Sequence, residues 1–215
     1  MDHWRNNFNE GRGRIMPVES WFPTPIYNSM IDNLNDVQNE LSVAYDDLKK
    51  QNKFEHASFF ETSNFTVSDP TFTSDVIKKY NLFKVKKEIY NHVDKYIELL
   101  NGSNFPYKYK IHASWFTNAE KGQYAKLHSH GRADLSGVYY FKTNKLDGDI
   151  CFTNPCKEHG STIFFGMDRV YPSVTYKPVV GQIVLWPGWL EHSTQENKTD
   201  ETRVSFSFNI NFNRF

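Results

Sequence analysis

Cysteine is scarce in this chain: Cys151 and Cys156 are the only two in 215 residues, and they flank a short Pro-containing turn. A disulfide-dense secreted scaffold is therefore excluded, and a lone pair reads as reduced thiols in a cytoplasmic compartment. Long apolar runs are lacking as well. No stretch of eighteen apolar residues exists to cross a membrane. The opening segment, Met1 to Arg14, is polar and carries no apolar core of a secretory signal. Nor is there an excess of one charge. Lys and Arg total 25, Asp and Glu total 25, and the pI is near 7.1. A non-specific nucleic-acid surface or a membrane-binding surface is not expected from that balance. Internal repeats, low-complexity tracts and linker-like segments are absent. The chain reads as a polar, flexible lead-in over 1–18 followed by a single domain over 19–215.

Aromatic residues are plentiful, with 18 Phe and 12 Tyr, and these favour strands. The Trp21-to-Tyr27 stretch contains two prolines, which restrict it to an edge strand or an extended segment. Leu34, Val37, Leu41, Ala44 and Leu48 then recur at helical spacing, predicting a helix from about Ser29 to Lys50. A second helix is predicted over Leu82 to Leu100, with Ile89, Val93, Ile97 and Leu100 on one face and Gly102 as its stop. A short helical turn is expected after Ser74, and a strand or loop between Phe54 and Pro70.

From Tyr107 the apolar period shortens to two, and Tyr107, Tyr109, Ile111, Ala113 and Trp115 alternate with polar neighbours. Further strands are expected over 124–130, 135–143, 149–153, 161–165, 173–177, 182–186 and 202–212, separated by Gly, Pro, Asn and Asp turns. Helices first and short strands after make an α+β chain that is mainly β. Its N-terminal helices would brace a jelly-roll sandwich.

The stretch from Leu127 to Tyr140 carries the chemistry. In an extended backbone His128 and His130 project to the same side, together with Lys126 and Tyr124. Such a polar face is costly inside a small sandwich unless a metal or ligand satisfies it. A third histidine, His192, closes the Trp186-to-His192 stretch. Neutral imidazoles converging from separate strands hold catalytic first-row metals, which points to a metal-dependent oxygenase. Eleven residues beyond His192, Arg203 opens a strand with Ser205, Ser207, Asn209 and Asn211 on its own face and Val204, Phe206, Phe208, Ile210 and Phe212 opposite. An arginine fork with a hydroxyl at i+2 suits a carboxylate. Trp115, Phe116, Trp186 and Trp189 are candidates for the wall of such a site. His3, His56, His112 and His159 read as structural. His92 is expected to be solvated or hydrogen-bonded at the edge of its helix's apolar face.

In their order, these motifs resemble the Fe(II)/2-oxoglutarate-dependent dioxygenases. More closely, they are similar to a small oxygenase family of marine bacteria and phages. The matching stretches are Phe22 to Pro25, His128 to Tyr140, Pro187 to His192 and Arg203 to Asn209. The resemblance implies a double-stranded β-helix that binds Fe(II) and uses 2-oxoglutarate as cosubstrate. His128 and His192 would be two ligands of a facial triad. Arg203, assisted by Ser205, would hold the distal carboxylate of 2-oxoglutarate, with Tyr140 pointing toward the cosubstrate. One position departs from the family pattern: His130 stands where a carboxylate ligand is usual. The third ligand is then either His130, which the i, i+2 geometry favours, or Asp134 folding back.

The implied activity is hydroxylation of a small molecule or of a peptidyl residue such as proline, consuming O2 and releasing succinate and CO2. Two alternatives stand beside it: a cupin-like metal enzyme that does not use 2-oxoglutarate, and a non-catalytic jelly-roll binding module. No nucleic-acid or membrane partner is expected. A homodimer through the Leu34–Leu48 helix stays open.

Overall fold

The computed structural model describes residues 23–57, 66–69, 74–101, 108–156 and 171–213. The lead-in over 1–18, Phe22, Gly102, Tyr107, His3, His159 and the strand expected over 161–165 lie outside them.

Three layers build the fold, and strand alternation decides which residues face which layer. Ten strands are described: β1 (Tyr27–Met30), β2 (Glu55–His56), β3 (Thr66–Val67), β4 (Tyr109–Ala119), β5 (Leu135–Lys142), β6 (Ile150–Thr153), β7 (Ser173–Tyr176), β8 (Gln182–Pro187), β9 (His192–Thr194) and β10 (Arg203–Phe212). Seven of them form one sheet, in the order β1-β8-β5-β10-β4-β3-β2, and three form a smaller sheet, β7-β6-β9. The contacts between named strands are antiparallel. The two sheets face each other as a jelly roll, with helices covering the outer face of the larger one.

Those helices are α1 (Leu34–Lys50), α2 (Val76–Tyr80) and α3 (Phe83–Asn101). Val37, Leu41, Ala44 and Leu48 of α1 and Val85, Ile89 and Val93 of α3 bury their apolar stripes against Phe116, Phe141, Leu185, Phe206 and Phe208 of the sheet. Each of the larger of these side chains contributes about 2 kcal/mol by burial. The first residues of the expected α1 instead pair as the edge strand β1, so the proline-limited extended segment runs further than expected, to Met30. Leu34, at the start of the helix, is exposed.

Each long helix supplies a carboxylate to the start of the other, but only α3 is capped at its helical amides. Glu40 of α1 accepts hydrogen bonds from the Lys84 and Val85 amides (2.9–3.0 Å). Glu88 of α3 accepts from the Asp32 amide (2.7 Å) and from the Asn33 side chain (3.0 Å). A carboxylate suits the Glu40 position because the first amides of a helix lack partners and carry partial positive charge, whereas Glu88 ties down the two residues that lead into α1.

Two sequence expectations need correction. His92 is fully buried rather than at the edge of its helix face. The Tyr27 hydroxyl is 2.8 Å from its Nδ1, and Glu88 Oε1 lies 3.4 Å from its Nε2. The segment 124–130 is not a strand. It touches the 188–197 stretch at separated points: a reciprocal His128–His192 backbone pair (2.9 Å each way), the Thr194 amide on Ala125 O, and the His130 amide on Gly188 O. Of the expected polar face, His128 and His130 reach the cavity between the sheets together with Ala125 and Ser129, whereas Tyr124 and Lys126 are not among the described residues that line it, and no continuous ladder forms. A Cβ on Gly188 would run into Ala133 O.

Candidate metal centre

β5 explains how the fold makes a cavity. Leu135, Tyr139 and Phe141 pack into the helix-side core, whereas Val138 and Tyr140 pack toward the smaller sheet with Ile150, Phe152, Val184, Trp186 and Leu190. With both faces covered, the strand is apolar almost throughout. β10 divides the same way, but its inner face is polar. Arg203, Ser205, Ser207 and Asn209 line a cavity of about 400 Å3 between the sheets. Arg203 is only 4% exposed, so it is no solvent-facing arginine.

His128, His130 and His192 converge on this cavity, each offering a nitrogen within 4.8 Å of the others. Their ring centroids lie 4.3 to 5.3 Å apart. The pairing that positions them is the backbone bridge between 128 and 192, which brings together two residues distant in sequence.

Each ring is held by its other nitrogen. His128 Nδ1 donates to Lys126 O (2.6 Å) and His192 Nδ1 to Leu190 O (3.0 Å). His130 Nδ1 meets Asn209 Oδ1 at 2.8 Å, with Ser136 Oγ 2.9 Å from both atoms. With Nδ1 engaged in this way, Nε2 is the nitrogen each ring would offer to a metal.

Burial favours the neutral, ligating form. Desolvation lowers the pKa of His128, pushes His130 down to about 4 and holds His192 well below its ordinary value, with the neighbouring imidazoles adding to the effect on the last two. Three neutral nitrogen donors at this separation fit a borderline first-row divalent ion such as Fe(II).

Asp134 is placed differently. Its Oδ2 accepts from the Phe212 amide (2.8 Å) at the end of β10, and it is not part of the histidine group.

The other end of the cavity is built around Arg203. Its Nη1 donates to the backbone oxygens of Asp147 (2.7 Å) and Gly148 (2.6 Å), and no described carboxylate forms an ion pair with it. Burial lowers its pKa, partly offset by Tyr140, Asp147 and Asp149 at longer range. Ser205 pairs in register with Tyr140 across β10 and β5, and both are buried in the cavity wall. Burial raises the pKa of Tyr140, so its hydroxyl stays protonated near neutral pH.

Of the four proposed wall aromatics, Trp115 and Trp186 line the cavity. Phe116 packs in the helix-side core and Trp189 is largely exposed.

Sequence reasoning passed over two residues. Asn209, which holds His130, was legible as part of the polar face of β10, but not as its partner. His112 lines the mouth of the cavity with Ser129, Gly131 and Arg132. The β4–β10 register pairs Asn209 with Ala113 and Ile210 with Ile111, which leaves His112 as an extra residue in a bulge. Bulges re-aim side chains, and a strict period of two hides them.

Residues 113–209 match a family model described as "Putative 2OG-Fe(II) oxygenase". No curated protein matches the chain in sequence. Among solved structures, the fold is similar to the epimerase SnoN from nogalamycin biosynthesis in complex with Fe3+, alpha ketoglutarate and nogalamycin RO (TM-score 0.60, 14% identity, 87% of this chain and 78% of that one). It is similar also to a Pseudomonas putida prolyl-4-hydroxylase (TM-score 0.57, 11% identity, 87% and 93%). A third similar fold is AviO1 from Streptomyces viridochromogenes Tue57 (TM-score 0.60, 12% identity, 87% and 90%).

Proposed function

We propose that this chain is a 2OG-Fe(II) oxygenase, a reading supported by the family model over residues 113–209 and by the three clustered histidines, and that it uses Fe(II) and 2-oxoglutarate to hydroxylate a C–H bond in a peptidyl residue or a small molecule, releasing succinate and CO2. One observation carries the assignment of roles: three clustered imidazoles share one cavity with a buried arginine that has no ion-pair partner among the described carboxylates. In this reading His128, His130 and His192 hold the iron through Nε2. Bound there, the metal supplies O2 activation coupled to oxidative decarboxylation of the keto acid.

The remaining work falls to this chain's own side chains. Arg203 already has two carbonyls fixing Nη1, so its orientation is set before the cosubstrate arrives, and its other donors are available to a carboxylate. Ser205 adds a hydroxyl on the same face, and Tyr140 offers a protonated phenol opposite it. Trp115, Val138, Ile150 and Trp186 keep water from the reacting centre. The substrate enters past His112, Ser129 and Arg132, which are exposed at the mouth. The similar fold of a prolyl-4-hydroxylase supports proline as one peptidyl target to try first.

The test is succinate release by anaerobically reconstituted protein, with candidate peptides and small molecules added in air. Arg203→Gln should raise KM for 2-oxoglutarate by about tenfold or more, since a charge-assisted bidentate contact is lost. Absence of succinate from the wild-type protein across metals and substrates would remove the proposal.

A further inference from the structure

The wall of the cavity holds two arginines and four histidines, and among the described residues that line it there is no Asp or Glu. The described carboxylates near the cavity stand outside its lining. Asp134 accepts from the Phe212 amide. Asp147 is fully buried and accepts from Thr143 Oγ1 (2.7 Å) and the Asn144 amide (3.1 Å). Asp149, half-buried, acts on Arg203 at longer range. With no carboxylate among the described lining residues, a divalent ion on three neutral imidazoles would keep both of its charges, and Arg203, offset only at longer range by Asp147 and Asp149, adds positive charge in the same cavity. Uncompensated charge in a site this desolvated is strongly disfavoured. A 2-oxo dicarboxylate brings two negative charges, one end for the metal and one for the guanidinium.

Resting on the metal reading above, we propose that His130, by contributing no charge, makes the cosubstrate the counter-ion of the metal site, so that metal and 2-oxo dicarboxylate bind as a coupled pair. Chelation alone couples the two ligands in any such site. The part assigned to His130 is the excess that arises from charge and disappears when a carboxylate replaces the imidazole. Linkage makes the coupling reciprocal: the dicarboxylate binds weakly without metal by the same factor.

Anaerobic titration of the metal-free protein with Co(II), read by its visible absorption and by calorimetry, tests this without turnover. Addition of N-oxalylglycine, an unreactive dianion, should tighten Co(II) binding by about tenfold or more. The monoanion 2-oxobutyrate keeps the chelating end but lacks the second carboxylate, and it should give a clearly smaller gain. In His130→Asp, Co(II) should bind more tightly alone, and the gain from N-oxalylglycine should shrink by about tenfold. Equal gains from the dianion and the monoanion in the wild-type protein overturn the proposal without needing any variant, as does a wild-type gain in folded His130→Asp. The metal reading survives those results. It falls together with the proposal only if Co(II) fails to bind even with N-oxalylglycine present.

Discussion

Asn209 shows how a single side chain can act through another. Its amide oxygen holds Nδ1 of His130 and leaves Nε2 free, so it is a positioning residue. Outer partners of metal-binding histidines typically change affinity by about 10- to 100-fold. Asn209→Ala should weaken Co(II) binding within that range while leaving the urea midpoint of the metal-free protein nearly unchanged. A fall in the midpoint with unaltered affinity would mean that Asn209 only packs. Gly137 makes the opposite case, a residue defined by the space it leaves. A Cβ there would overlap the Phe208 ring and come within 2.6 Å of Leu185 Cδ2. Gly137→Ala should cost about 1–3 kcal/mol by overpacking, measured by urea unfolding. A neutral result would show that the β5–β8–β10 contact is looser than drawn.

At the scale of elements, β10 joins core and chemistry through its alternation. Phe206, Phe208 and Ile210 are fully buried toward the helices, while Arg203, Ser205 and Asn209 line the cavity. Any slip by one residue would exchange the two sets, so the apolar face enforces the register that aims Arg203 inward. The helices stabilise that face from behind, and Glu40 of α1 caps the start of α3. Glu40→Ala removes the acceptor for two amides at the start of α3 and should lower stability by about 1 kcal/mol. Because Glu40 sits outside the cavity, Co(II) affinity should not move. A change in affinity would place α1 in communication with the site.

For the molecule as a whole, acid should be the weak direction. His92 is fully buried, and desolvation, with Lys95 nearby, lowers its pKa despite Glu88 and Asp32 pulling the other way. The unfolded chain takes up a proton at this imidazole near pH 6.5 that the native protein refuses until lower pH. Stability is therefore lost as pH falls below about 6.5. For Glu88, burial raises the pKa, but the bonds from Asn33 and the Asp32 amide outweigh it and leave the group below its usual value. Its contribution is present above the unfolded pKa and is lost on further acidification through the folded value, so both groups push in one direction. Urea unfolding of the metal-free protein between about pH 7 and pH 5 should show a falling midpoint, and His92→Gln should flatten the slope. A midpoint that rises on acidification, or a variant with the same slope, would sink this account.

Period and spacing determined much of this molecule in advance. The stripes of α1 and α3 and the alternation of β4, β5 and β10 follow from local backbone geometry, which repeats every 3.6 or two residues, whereas His128 and His130 meet in a segment that forms no strand. Those patterns also marked Arg203 and Ser205 as one polar face. Long-range placement was decided by the tertiary structure. The 128–192 bridge, the turning of Asp134 to β10, the bulge that swings His112 to the mouth and the burial of His92 under β1 all depend on which segments meet. Such meetings are set by the packing of whole layers, for which no short window of sequence carries a period.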